Sequence, residues 1–225
     1  MPAAEFSWEE SEDRLVIDAI RARITFLRHD DRWTHEIAFS DEPGAIASAG
    51  VSWLVKSLEC APDHGDPGRI VSPVYQEIHR HELPHDEFGA ARVLLTGRLF
   101  EHHFSAAVSM IRDPDEPNFG VLEFDVADRC RAPVEVLAAT YLVNAGSSEL
   151  ATAGPQAIVW TGLVPGVETT RLEIRCDPPS ALVMAEAGRQ ATRVQALAAI
   201  DPGLFTHRLT YRWRWCCESS SEQTR

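Results

Sequence analysis

Positive charge is what this sequence of 225 residues has least of: 21 lysines and arginines face 34 acidic residues, a formal net charge of −13. Nucleic acid and anionic membranes both recruit a protein through a positive field, so neither is expected as a partner. A disulfide framework is missing as well. The five cysteines, at 60, 130, 176, 216 and 217, are odd in number, include one adjacent pair and show no Cys-x-x-Cys spacing. They read as reduced, small apolar side chains of a cytoplasmic protein. Long apolar runs are absent: the best candidate, Ala157 to Val164, falls far short of the roughly 20 residues that cross a bilayer. The opening stretch MPAAEFSWEESEDR is acidic where an export signal would be basic and then apolar. A soluble, cytoplasmic chain is expected.

Signatures of familiar chemistry are equally thin. Gly50-Val51-Ser52-Trp53-Leu54 lacks the closing glycine of a nucleophile elbow, and no phosphate-cradling glycine loop occurs. No internal repeat or low-complexity tract is visible.

What is present is alternation. Apolar residues make up 44% of the chain and charged ones 24%, enough to build a core without staples. In LFTHRLTYRWRWC, Phe205, His207, Leu209, Tyr211, Trp213 and Trp215 share one face, and Arg208, Arg212 and Arg214 share the other. Leu172, Ile174 and Cys176 alternate with Arg171, Glu173 and Arg175 in the same way. Ala22, Ile24 and Phe26 lead through Asp30-Asp31 to Trp33, His35, Ile37 and Phe39, which is the pattern of a hairpin. Ala91 to Ile111 reads as one long strand, bent at Gly97. VLEFDVA and VEVLAATYLV add two more strands, the latter apolar on both faces as a central strand would be. Helical spacing is limited to Val51, Leu54, Val55 and Leu58 and to the alanine-rich run near 181–199.

The sequence therefore predicts an all-β, mainly antiparallel fold. Residues 1–217 form a single large β-sandwich or supersandwich-like domain with one or two short helices, and 218–225 form a frayed tail.

His81-Glu82-Leu83-Pro84-His85 matches the His-Glu-x-x-His spelling of zinc proteases. That motif works on a helix, where both imidazoles share one face. Pro84 disfavours the helix, and Ile70, Val74 and Ile78 mark a strand running into the motif. On a strand, Glu77, His79 and His81 share a face, with His85 or Glu87 returning from the turn. This set resembles the His-x-His and later glutamate of the cupins, which implies a β-barrel around a divalent metal. The spacing departs from the family's beyond His81, and no second motif follows.

Three functions compete. The first is a binding module for a carbohydrate or another small ligand, using Tyr75, His79, His81, His102, His207, Tyr211 and Trp213 on strand faces. In fold it is similar to the large sandwiches of the galactose-mutarotase type. It needs no cofactor. The second is a cupin-like metal-dependent enzyme using Glu77, His79, His81 and His85. The third is a non-catalytic structural or interaction protein that captures a partner or self-associates through an exposed sheet edge. The arginine row Arg208, Arg212 and Arg214 is expected to pair with carboxylates on neighbouring strands.

Overall fold

The computed structural model describes residues 6–19, 22–39, 54–58, 72–81, 91–112, 119–144, 148–162, 170–186 and 191–217. Strands are numbered β1 to β16 along the chain. One sheet runs, in spatial order, β1 (Ser7–Ser11), β2 (Arg14–Asp18), β3 (Ala22–His29), β4 (Arg32–Phe39), β5 (Val55–Leu58), β10 (Ala138–Asn144), β15 (Ala191–Leu197) and β14 (Ala181–Glu186). The other runs β11 (Glu149–Ala153), β12 (Ala157–Thr161), β13 (Thr170–Cys176), β16 (Thr206–Cys217), β9 (Phe119–Cys130), β8 (His102–Arg112), β7 (Ala91–Leu99) and β6 (Glu77–His81). Every pairing is antiparallel. The fold is the expected all-β sandwich, not the cupin-like barrel weighed beside it.

Period two explains the packing. Ile24, Phe26, Trp33 and Ile37 point inward from the first sheet, and Leu172, Ile174, Leu209, Trp213 and Trp215 point inward from the second; all are buried in one core. Each large side chain so buried contributes about 1.5–3 kcal/mol. The sheets also meet at their margins. The Arg80 guanidinium of β6 sits 4.6 Å over the Trp8 ring of β1, and at the opposite margin the Leu182 amide donates to the Pro155 carbonyl at 2.7 Å.

Three details depart from the sequence reading. No helix occurs among the described residues: Val55–Leu58 is β5, and the alanine-rich run is the β14–β15 hairpin. Lys56, Leu58, Arg193 and Gln195 meet neighbouring strands there, and sheet pairing overrides local helix preference. Residues 51–53 lie outside the described residues, as do His85, Glu87 and the tail 218–225. The long strand of residues 91–111 is a hairpin, with Leu99 paired to His102 across a turn at Phe100 and Glu101. Neither turn residue is a turn former, so no local signal marked it. Finally, β16 starts at Thr206, and Phe205 stands exposed outside the core face.

Gly97 does not bend its strand so much as admit another segment of the chain. A Cβ there would lie 2.1 Å from the Val74 carbonyl oxygen. Only glycine lets residues 72–76 cross so close. This segment is hydrogen-bonded to both sheets: the Tyr75 carbonyl accepts from the Trp33 amide at 2.7 Å, and the Gln76 amide donates to the Thr96 carbonyl at 2.8 Å.

Candidate functional site

The crossing segment lines a cleft between the sheets. Trp33 and His35 come from β4, Ser57 and Leu58 from β5, Thr140 and Tyr141 from β10, Tyr211 from β16, and Ser72, Pro73 and Tyr75 from the crossing segment. The free space is about 350 Å³, counted out into open solvent. At its floor lies a series of uncharged polar groups. The His35 Nε2 is 3.1 Å from the Tyr141 hydroxyl, which is 2.5 Å from the Tyr211 hydroxyl. The His35 amide donates to Ser57 Oγ at 2.8 Å. Beside them, Thr140 Oγ1 accepts from Gln195 Nε2 at 3.1 Å and lies 3.3 Å from Ser72 Oγ.

Register puts these groups inside. His35 occupies the inward position between Trp33 and Ile37, and Tyr141 the inward position beside Val143. Phe124 of β9 stacks on His35 at 5.1 Å and on Tyr211 at 4.9 Å. The rings fix one another, so the hydroxyls have little rotamer freedom.

Burial also sets the protonation states. His35 is pushed down to about 3 by loss of solvent. Burial raises the Tyr75, Tyr141 and Tyr211 hydroxyls. All four groups are neutral across the physiological range. General acid–base catalysis works best with groups that titrate near the operating pH, and none of these does. The floor is a set of fixed neutral donors and acceptors, suited to an uncharged hydroxyl or amide. His35, Tyr75, Tyr141 and Tyr211 are only 5%, 8%, 1% and 2% exposed, so nothing larger than a water-sized group meets them without movement, and a whole sugar ring does not.

Of the residues singled out in the sequence, Tyr75 and Tyr211 line this cleft. Trp213 is wholly buried, packed edge-on against Tyr141 at 5.3 Å. His207 and His102 belong to a separate polar group at the end of the second sheet. His102 Nδ1 is 2.7 Å from Oδ2 of the buried Asp128, and the His207 Nε2 donates to the Asp201 carbonyl at 3.0 Å. Asp128 Oδ1 and His207 Nδ1, on paired residues, are both buried without partners. His79, His81 and Glu77 stand exposed on the edge strand β6, with His79 Nε2 3.8 Å from Glu77 Oε2. Among the described residues, no group of three or more histidine, cysteine, aspartate or glutamate side chains is placed to hold a metal ion.

His35 and Tyr141 were legible in the sequence as strand residues but not as site residues. Their only signal is a polar side chain on the inward register of an otherwise apolar strand face. The arginine row behaves as expected: Arg208 pairs with Asp125 at 2.6 Å and Arg212 with Asp177 at 3.2 Å, while Arg171, Arg175 and Arg214 surround the buried Glu173.

No family model matches the sequence, and no curated protein matches it. Among solved structures, a heparinase III gene product superposes with a TM-score of 0.52 at 10% identity. The match takes in 98% of this chain and 38% of that one, so this sandwich spans well under half of the larger protein. At that identity the likeness establishes the fold: this chain is similar, over nearly its whole length, to a β-sandwich portion of a heparinase III.

Proposed function

We propose that this chain is a carbohydrate-binding β-sandwich that takes an uncharged hydroxyl-bearing arm of its ligand into the cleft of His35, Tyr75, Tyr141 and Tyr211. The observation that carries this reading is the neutral hydrogen-bonded series on the cleft floor. Hydroxyls donate and accept at once, and they match a site whose groups do the same without charge. The heparinase name of the structural neighbour supports a carbohydrate ligand in general terms, and the raised and lowered proton affinities support binding over proton transfer.

The test is a panel of neutral mono- and oligosaccharides titrated against the protein, read by tryptophan fluorescence, because Trp33 lines the cleft. Saturable quenching is expected for at least one saccharide. Tyr141→Phe, which removes the central hydroxyl, should weaken that binding about 3- to 10-fold, the worth of one hydrogen bond. If no saccharide on a broad panel quenches the wild type, or if Tyr141→Phe binds as tightly, the assignment to this cleft fails.

A further inference from the structure

A second surface stands apart from the cleft. Arg98 of β7, His103 of β8 and Arg129 of β9 lie in direct register, Arg98 opposite His103 and His103 opposite Arg129. All three point outward and are exposed. Their side chains make no hydrogen bond or ion pair among the described residues, in contrast to the paired Arg208, Arg212 and Arg214 further along the same face. Arg131 follows, also exposed. Arg98 and Arg129 flank His103 on either side, and a chain of net charge −13 has ample carboxylates with which to pair them. Here it does not.

The same end of the sheet holds the most exposed large apolar side chains among the described residues: Phe100 at 70%, Phe205 at 67% and Leu204 at 56%. Phe100 occupies the turn between Arg98 and His103 with φ of 53°. The corresponding backbone in the β3–β4 hairpin is taken by Asp30, φ 56°, a residue type that tolerates it. A phenylalanine there costs about 1–2 kcal/mol and gains no burial in return. Phe205 reaches the same corner because its carbonyl accepts from the Cys130 amide at 3.0 Å.

We propose that this corner of the second sheet is a docking surface for an acidic polysaccharide, with guanidinium groups of Arg98 and Arg129 holding carboxylates or sulfates and the Phe100 and Phe205 rings covering the apolar faces of the sugars. Arg98 and Arg129 stand two strand spacings apart, roughly 10 Å, so they meet anionic groups on successive residues of an extended chain and not one anion together. Guanidinium forks suit planar carboxylates and sulfates, and flat rings suit pyranose faces. Nucleic acid is the less suitable polyanion. Its binders commonly engage about 6–10 phosphates, whereas this corner offers the three arginines Arg98, Arg129 and Arg131, beside the exposed carboxylate of Glu101, on an otherwise acidic molecule. The surface shares no residue with the cleft.

The test is calorimetric titration at low salt with three probes: polygalacturonate oligomers, dextran sulfate oligomers and uncharged dextran, with a single-stranded DNA of matched charge as a fourth. The wild type is expected to bind one or both acidic glycans and to ignore dextran. Arg98→Ser/Arg129→Ser should bind at least 10-fold more weakly with a shallower salt dependence. Phe100→Gly, which suits the turn and removes the ring, should bind about 3- to 10-fold more weakly without loss of stability, and Tyr141→Phe should bind as the wild type does. Circular dichroism confirms that each variant is folded. The proposal is overturned if neither acidic glycan binds, if the double variant binds unchanged, or if the DNA binds more tightly than both glycans. It is also overturned if Tyr141→Phe loses acidic-glycan binding to the same extent, because the ligand then enters the cleft. A failed neutral-sugar panel with intact acidic-glycan binding would remove the cleft reading alone.

Discussion

Acid should weaken this protein through one buried histidine. His35 is held neutral in the core and takes up a proton only at about pH 3, whereas in the unfolded chain it does so at about 6.5. Between those values the unfolded state binds the extra proton. Stability is therefore fully present above pH 6.5 and falls as pH drops toward 3, with a slope approaching 1.4 kcal/mol per unit. From pH 7 to pH 5 the loss through His35 comes to about 2 kcal/mol. The measurement is urea unfolding at half-unit pH steps, for the wild type and for His35→Leu. Leucine keeps the apolar contacts, the backbone bond to Ser57 Oγ survives because it comes from the main chain, and the Tyr141 hydroxyl keeps its partner Tyr211. The variant should lose about 2 kcal/mol less than the wild type across the window. Parallel curves would refute the reasoning, since they would mean that His35 is protonated in the folded protein or reached by water.

Other perturbations have defined outcomes. Gly97→Ala places a Cβ 2.1 Å from one backbone atom and 2.9 Å from another, so it should cost more than about 3 kcal/mol by denaturant unfolding; a cost below about 1 would show that residues 72–76 yield easily. Glu173→Gln removes the one buried carboxylate that Arg171, Arg175 and Arg214 share. Because two of those arginines remain nearly half exposed, the expected loss is about 2 kcal/mol, below the range for a fully buried pair, and high salt should recover part of it. Elemental analysis of protein purified without chelator should find no stoichiometric metal. Near one equivalent of a divalent ion, lost in His79→Ala/His81→Ala, would instead establish a site on β6.

The fold was legible wherever a strand has one wet face. Leu209, Tyr211, Trp213 and Trp215 alternate with Arg208, Arg212 and Arg214 because one side meets the core and the other meets carboxylates on β9 and β13. The hairpin of β3 and β4 was legible for the added reason that Asp30-Asp31 is a turn former. Phe100-Glu101 turns the chain equally sharply with residues that do not announce it. The β14–β15 hairpin was hidden because its alanines favour a helix locally, and only long-range pairing to β10 overrides them. The cleft was half legible. Tyr75 and Tyr211 drew notice as aromatic residues with polar tips, but which aromatic faces a gap and which, like Trp213, is sealed in depends on the opposite sheet. His35 and Tyr141 are 106 positions apart, and no local pattern can bring them together.

Residues 72–76 also determine how the two sheets can move. They behave as a stitch through both layers: one bond ties them to Trp33 and the next to Thr96, while the Gln76 side chain accepts from the Arg98 amide at 3.0 Å. Sliding one sheet over the other would have to break these neighbouring bonds together. The amide protons of Trp33 and Gln76 should accordingly exchange with solvent at a common rate, and that rate measures how often the sandwich comes unstitched.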